Sequence, residues 1–203
     1  MIKMASLSEA KSLGGVGSIL VLLTVAPTVG WILGIVGFVM TLVAVRYISQ
    51  IVKDVKIFND MLISVILAIG GIAVGTVTVL GAVFRVLGMG SFVGPEFVPG
   101  PNIAVGDWIG LILGVLAGLA VVWAFMIASA VFLRRSYESI AARVNVRMFR
   151  TTGLLYLIGA ATTIIGVGFA LILVAQILAA VSFFSMPERL PEPAQSQTIP
   201  ASV

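Results

Sequence analysis

The residue types that most often carry out chemistry in proteins are scarce in this sequence. It contains no Cys and no His, so the usual zinc sites and Ser–His or Cys–His catalysis lack their ligands and their base. Asp60 and Asp107 precede different apolar runs, and every Lys lies close to other charged residues. We therefore predict no enzyme, no metal and no cofactor. The least favoured alternative is a lipid-modifying enzyme that uses Asp54 and Asp60 with arginines at the membrane interface.

Gln176 is the one amide side chain deep within an apolar run. An amide at such a depth can line a pore or bind a substrate, but it more often bonds across helices or to a backbone carbonyl, and we favour that role. The threonines in the apolar runs can bond to their own helix backbone. Ion-coupled transport usually leaves an ionisable residue at depth, and the apolar runs contain none, which argues against a pump.

Glycines recur at intervals of four residues within the apolar runs. Small residues at this interval allow two helix backbones to approach closely, so we interpret these glycines as helix-packing positions. Each instance is a weak signal, because the chain contains 22 Gly. The triple that follows Trp108 is the best candidate for a close contact, within the chain or between subunits. The packing candidates are Gly30, Gly34, Gly71, Gly75, Gly110, Gly114 and Gly118.

The apolar runs that hold these residues are long enough to cross a membrane. Hydrophobic residues make up 60% of the chain and charged residues 10%, whereas soluble proteins average about 25% charged residues. Several runs exceed the roughly 18 apolar residues that mark a membrane span. We predict an all-α, polytopic α-helical membrane protein with about five transmembrane helices, four or six being alternatives. Residues 1–186 would form a single domain, and the Pro-rich tail, 187–203, would be disordered.

Two of the runs leave the number of helices open. Only Pro27 interrupts the run 14–45, and we favour a hairpin that turns there over a single tilted helix with a kink. A cleaved signal peptide is disfavoured, because the apolar run continues without a cleavage site. The run 151–184 is long for one helix, so it tilts, projects from the membrane or breaks near Gly166. The other spans are 61–84 and 108–133.

The basic residues predict the orientation, because Lys and Arg are retained on the cytoplasmic side of a membrane. The segment 134–150 carries five of the twelve basic residues and 46–60 carries three. We place both segments and the N-terminus in the cytoplasm. The connection 87–107 is rich in Gly and Pro and has no Lys or Arg, so we place it outside. Five spans would put the C-terminus outside, and a sixth crossing would reverse that side.

Both cytoplasmic segments are predicted to be short amphipathic segments at the inner surface. Each has apolar residues at intervals of three and four, with its basic residues on another helix face. Such a segment attracts anionic lipid headgroups, although a docking site for a partner protein or an ordinary loop would give the same pattern. The basic residues concerned are Arg46, Lys53, Lys56, Arg134, Arg135, Arg143, Arg147 and Arg150.

A similar pattern occurs twice along the chain. Tyr47-Ile48-Ser49 and Tyr137-Glu138-Ser139 each follow an apolar run and precede a basic segment. This pattern predicts a parallel repeat of 29–86 and 108–184, of a kind that occurs in transporters. The constraints of membrane topology alone also produce this pattern, so a true duplication and a chance match are both alternatives.

Four stretches of the sequence resemble a known family. They are Lys11–Leu20, Ala44–Ser49, Ile57–Asn59 and Ala180–Pro187. Together they look like the uncharacterised, largely archaeal membrane proteins grouped as domain-of-unknown-function family 996, over about 8–187. The resemblance implies a small multi-span protein of an archaeal-type cell membrane. It brings no activity, cofactor or functional residue with it.

From the lack of catalytic residues and the small extramembrane mass, we predict a non-enzymatic accessory subunit or a self-assembling scaffold of a membrane complex. Its partners would be membrane lipids and other membrane-protein subunits or further copies of the chain. The net charge of +4 does not indicate nucleic-acid binding, because the basic residues flank the spans. The alternative is a small channel or passive transporter, favoured by the repeat and by Gln176.

Overall fold

The computed structural model describes residues 6–26, 28–86 and 105–188, apart from the side chains of five of them: Trp31, Arg85, Val86, Val105 and Asp107. The described residues form six α-helices and two short 3-10 turns, and they include no strand. The helices are α1 (Leu7–Leu22), α2 (Gly30–Val52), α3 (Val55–Val86), α4 (Val105–Val144), α5 (Met148–Thr162) and α6 (Val167–Phe184), and the 3-10 turns are Leu23–Val25 and Thr163–Ile165.

The predicted all-α membrane class is confirmed, because six helical segments are long and apolar enough to cross a membrane. This count lies within the predicted range, since both ambiguous runs form hairpins. The second hairpin turns at Gly166, whose φ of +82° lies in the left-handed region that Gly adopts without a steric penalty. Six crossings would bring both chain ends to the same side, so the expectation of an external C-terminus loses its basis.

The structure differs from the sequence prediction in the two basic segments. Residues 46–52 continue α2 and residues 134–144 continue α4, so neither segment is a separate helix at the membrane surface. Three of their apolar residues, Ile48, Ile140 and Val144, are buried within the protein. The amphipathic pattern arises from packing against neighbouring helices, because a protein core selects the same apolar face as a membrane surface does.

The chain folds as two compact units, the first made of Met1–Phe58, Tyr137–Thr152 and Gln176–Val203. Here α1 lies against α2 through two glycines. A Cβ atom on Gly17 would lie 2.7 Å from the carbonyl oxygen of Gly37, so only a residue without a side chain allows this approach.

Aromatic rings fill the core of the first unit. The ring of Phe149 packs edge-on against Tyr137, with 5.7 Å between centroids, and against Phe183, at 5.0 Å. Phe149 and Phe183 are fully buried, and Phe183 also covers Gly14 on α1. This cluster joins the end of α4, the start of α5, the end of α6 and the middle of α1.

The second unit, Asn59–Ser136 with Gly153–Ala175, contains most of α3 and α4 and the tip of the α5–α6 hairpin. The hydroxyl oxygens of Ser64 on α3 and Ser129 on α4 lie 3.0 Å apart. A Cβ on Gly75 would lie 3.2 Å from the carbonyl oxygen of Gly118. These contacts fix α3 and α4 as a closely packed antiparallel pair.

Candidate functional site

The turn between α2 and α3 is built around Asp54. The preceding residue, Lys53, ends α2 in the left-handed conformation, with φ of 57°. The Asp54 carboxylate accepts the backbone N–H of Lys56 at 3.2 Å and so caps α3, while its other oxygen accepts the Arg143 guanidinium at 3.0 Å. Asp54 therefore holds the end of α4 beside this turn, and Arg143 is the predicted basic residue whose side chain contacts its carboxylate.

Two further arginines lie over aromatic rings of their own unit. The Arg46 guanidinium lies 5.8 Å from the centroid of Phe58, and that of Arg135 lies 5.3 Å from Phe132. Contacts of this kind contribute about 0.5–1 kcal/mol at exposed sites. Arg134 is half-buried on α4. These contacts hold the two guanidinium groups over apolar rings.

A pocket of about 320 Å³ lies at the turn between α4 and α5. Its floor is one face of α4, where two alanines leave room, and the exposed Arg147 of the turn and Arg150 of α5 stand beside it. Asn145, with φ of 56°, makes the turn. A helix N-terminus and two guanidinium groups favour an anionic group in such a place. The lining residues are Glu138, Ala141, Ala142, Asn145, Arg147 and Arg150.

The amide of Gln176 is 8% exposed and donates a hydrogen bond to the carbonyl of Ser18, with 3.0 Å between nitrogen and oxygen. The structure therefore places Gln176 in contact with α1. Nearby in the same unit, the hydroxyls of Thr152 and Ser182 lie 3.3 Å apart. The Ser18 hydroxyl is buried without a hydrogen-bond partner among the described residues. Sequence reasoning missed these three hydroxyls, because small polar residues in apolar runs have no distinctive spacing.

The predicted packing glycines lie in three different environments. Gly30 and Gly34 face the first 3-10 turn, where a Cβ on Gly30 would lie 2.5 Å from the carbonyl oxygen of Thr24. A Cβ on Gly110 would have no described atom within 4 Å. The glycines at which a Cβ would overlap the partner helix in the α3–α4 pair are Gly71, Gly75, Gly114 and Gly118.

A family model described as a protein of unknown function, DUF996, matches residues 33–177. The chain belongs to this family. An uncharacterized protein of the archaeon Methanocaldococcus jannaschii is 38% identical over 190 residues, which are 94% of this chain and 98% of the relative. No solved structure matches the chain. The resemblance inferred from the sequence is confirmed, and it assigns no activity.

In this DUF996 protein, the family match begins within α2 and ends within α6. It includes the Asp54 turn, the pocket at the α4–α5 turn and Gln176. It leaves out α1, which supplies the carbonyl that Gln176 contacts. The relative from Methanocaldococcus jannaschii matches over nearly the whole chain, so that similarity extends beyond the family match.

Proposed function

We propose that this protein is a non-enzymatic component of a membrane assembly, acting as an accessory subunit or a self-assembling scaffold. The supporting observation is the surface of α4. In the most apolar 18-residue stretch of α4, only 6% of the residues are buried within the protein. The corresponding share is 28–39% for α1, α2, α5 and α6. Ile109, Leu113 and Leu116 are each more than half exposed. This surface contacts lipid or another protein.

Small residues on that surface favour another protein. No described atom lies within 4 Å of a Cβ built on Gly106 or Gly110, whereas Gly114 and Gly118 on the same helix contact α3. A glycine that faces only acyl chains contributes no packing, while one that faces a helix allows close approach. We therefore propose that the α4 surface around Gly106 and Gly110 docks a partner helix, which comes from a second copy of the chain or from another subunit.

The orientation that we propose follows the basic residues. The N-terminus and the segments 46–60 and 134–150 lie in the cytoplasm, 87–107 lies outside, and α6 returns the chain to the cytoplasmic side. Because the chain has no Cys, single cysteines test this directly. Ser91→Cys should react with an impermeant maleimide from outside intact cells, and Ser139→Cys should not. The reverse pattern would contradict the orientation.

The basic residues at the cytoplasmic turns would contact anionic headgroups, at about 1 kcal/mol for each basic residue near the surface. The pocket beside Arg147 and Arg150 would accept one headgroup phosphate. Replacing both arginines with Gln should reduce the phosphatidylglycerol that co-purifies with the protein from mixed phosphatidylglycerol and phosphatidylcholine membranes more than the matched pair Arg46→Gln and Lys53→Gln does. Equal losses from the two pairs would indicate a diffuse charge effect and no specific pocket.

The alternative of a channel or passive transporter has less support. The Gln176 amide is engaged by a backbone carbonyl. The hydroxyls of Thr41 and Thr78 bond to carbonyls of their own helices, both at 2.9 Å. Polar groups that are already hydrogen-bonded within the protein are poorly suited to bind a solute. Solute flux through protein reconstituted in liposomes, lost on Gln176→Leu, would reverse this ranking.

The assembly proposal is tested by extracting the full chain from its native membrane in a mild detergent and measuring the mass of the particle. We expect a fixed stoichiometry well above the 21.2 kDa chain. Gly110→Leu should weaken the association at least about tenfold, which corresponds to about 1.4 kcal/mol. Ile66→Leu, on the exposed surface of α3, is the control. A particle that contains one chain and no other protein would contradict the proposal.

A further inference from the structure

We infer that the α5–α6 hairpin ends inside the hydrocarbon core and does not reach the outer membrane surface. The argument begins with one hydrogen bond in the second unit. The indole N–H of Trp123 on α4 donates to the carbonyl oxygen of Ala161 on α5, with 3.3 Å between nitrogen and oxygen. This bond places the last turn of α5 beside the middle of α4.

Towards the cytoplasmic ends, the two helices have equal apolar lengths. Arg134 lies eleven residues beyond Trp123 along α4, and Arg150 lies eleven residues before Ala161 along α5. At 1.5 Å per residue, each distance is about 16 Å. Measured from the contact between Trp123 and Ala161, α4 and α5 therefore reach their first basic residue after the same helix length.

Towards the other side, the lengths differ. The hairpin has only five residues from Ala161 to Gly166, or about 8–10 Å. By contrast, α4 continues for fifteen residues from Trp123 to Trp108 without a charged residue, which is about 22 Å. The end of α4 thus extends beyond the hairpin tip by an amount on the order of 10 Å.

The part of α3 and α4 beyond the tip has the character of a membrane-embedded surface. The two helices remain packed there, through Gly114 of α4 against Ala82 of α3. Their outward side chains are aliphatic and exposed, as at Ile109 (55%) and Leu113 (61%). Hydrocarbon therefore continues past the level at which the hairpin turns.

The tip itself is built for a medium without water. Ile164 and Ile165 are 71% and 69% exposed, and no charged residue occurs between Arg150 and Glu188. The Thr163 hydroxyl donates to the Gly159 carbonyl at 2.7 Å, and the Gly166 N–H donates to the Thr163 carbonyl at 2.9 Å. With Trp123 donating to the Ala161 carbonyl, several polar groups at the turn are bonded within the protein, as a turn in lipid requires.

The α1–α2 hairpin of the first unit has the same features. Its apolar length on α1 is about 20 Å from Ser12 to Val25, shorter than a hydrocarbon core of about 30 Å. Val25 at its turn is 70% exposed, and no charged residue occurs between Lys11 and Arg46. Hairpins that enter and leave on one side keep both chain ends on that side, so the inference leaves the proposed orientation unchanged. It is also independent of the proposed assembly role.

The experiment uses the full chain with the single substitution Ile165→Cys, reconstituted in phosphatidylcholine vesicles that are then permeabilised, so that both surfaces meet the reagent. Thiols react as thiolates, which requires water, so we expect an impermeant maleimide to label Ile165→Cys at least about tenfold more slowly than the exposed control Gln50→Cys. Burial in the protein cannot cause this protection, because Ile165 is 69% exposed.

A nitroxide attached at the same cysteine before reconstitution gives a second readout. Collisions with oxygen, which concentrates in hydrocarbon, should exceed collisions with a water-soluble nickel chelate. Rapid maleimide labelling together with frequent nickel collisions would place the tip in water and overturn the inference. Ile164→Cys provides an independent position on the same turn if Ile165→Cys does not fold.

Discussion

The Gln176 side-chain amide on α6 donates a hydrogen bond to the backbone carbonyl of Ser18 on α1, with 3.0 Å between the two atoms. The two residues are 158 positions apart in the sequence, so the bond joins distant parts of the chain. It occupies an apolar environment, where an unpaired amide would be costly. The residue that looked most like a pore-lining group in the sequence is therefore engaged within the protein.

We expect Gln176→Leu to lower the free energy of unfolding by about 0.6–1.7 kcal/mol, from the average to the maximum measured for hydrogen bonds between membrane helices. Denaturation of the purified protein with sodium dodecyl sulfate in mixed micelles measures this change. The control, Gln50→Leu, replaces an exposed amide on α2 and should have little effect. Equal stability of the two variants would mean that the Gln176 bond does not form.

Ser18→Ala should leave the protein at least as stable as the wild type, because the buried Ser18 hydroxyl has no partner among the described residues. Removing such a group relieves its desolvation penalty, a gain of up to about 1 kcal/mol. Ser182→Ala is the contrasting variant, because the Ser182 hydroxyl donates to the Leu178 carbonyl at 2.6 Å and lies 3.3 Å from that of Thr152. The same titration should show a loss for Ser182→Ala, and a comparable loss for Ser18→Ala would reveal a partner for its hydroxyl.

Gly70 and Gly71 provide a matched pair on α3. A Cβ on Gly71 would overlap the side chain of Phe125, whereas one on Gly70 would make an ordinary contact with that ring, at 3.8 Å. We expect Gly71→Ala to cost about 1–3 kcal/mol, because α4 must move away. Gly70→Ala should be neutral or stabilise the helix by up to about 1 kcal/mol. Thermal unfolding in detergent compares the two, and similar melting temperatures would contradict the observed packing of α3 on α4.

The ion pair between Arg143 and Asp54 should contribute little and should be sensitive to salt. Its side chains are 55% and 19% exposed, so the coupling energy in a double-mutant cycle should be about 0.2–1 kcal/mol and should fall at high ionic strength. Asp54→Asn keeps an acceptor for the Lys56 N–H, so the cycle with Arg143→Gln isolates the charge pair from the helix cap. A coupling that persists unchanged in 1 M salt would contradict a solvent-screened pair.

The sequence predicted the parts of the structure that follow from hydropathy and backbone chemistry. Long apolar runs predict helices of membrane length, and a break near Gly166 was one of the alternatives for a run too long for one span. The sequence did not distinguish an apolar helix face that packs in the core, as at Ile48 and Ile140, from one that lies on a membrane surface. A protein core and a membrane surface select the same pattern of apolar residues.

Interactions between distant residues were not predictable in the same way. Gly110 and Gly114 have the same spacing signal, yet only Gly114 contacts α3, since register between helices depends on every contact along them. The partner of Gln176 is a backbone carbonyl, which carries no sequence signature. The pocket beside Arg147 depends on the turn at Asn145, where a residue other than Gly adopts positive φ, an uncommon conformation.

The measurement that tests the assembly proposal most directly is photocrosslinking in the native membrane. A benzophenone attached at Leu113→Cys would lie on the helix face that carries Gly106 and Gly110, and one at Leu119→Cys would lie on the opposite face of α4. Both positions are exposed, at 61% and 58%. We predict one discrete protein adduct from Leu113→Cys and only lipid adducts from Leu119→Cys. Lipid adducts alone from both positions would contradict the proposal that α4 docks a partner helix.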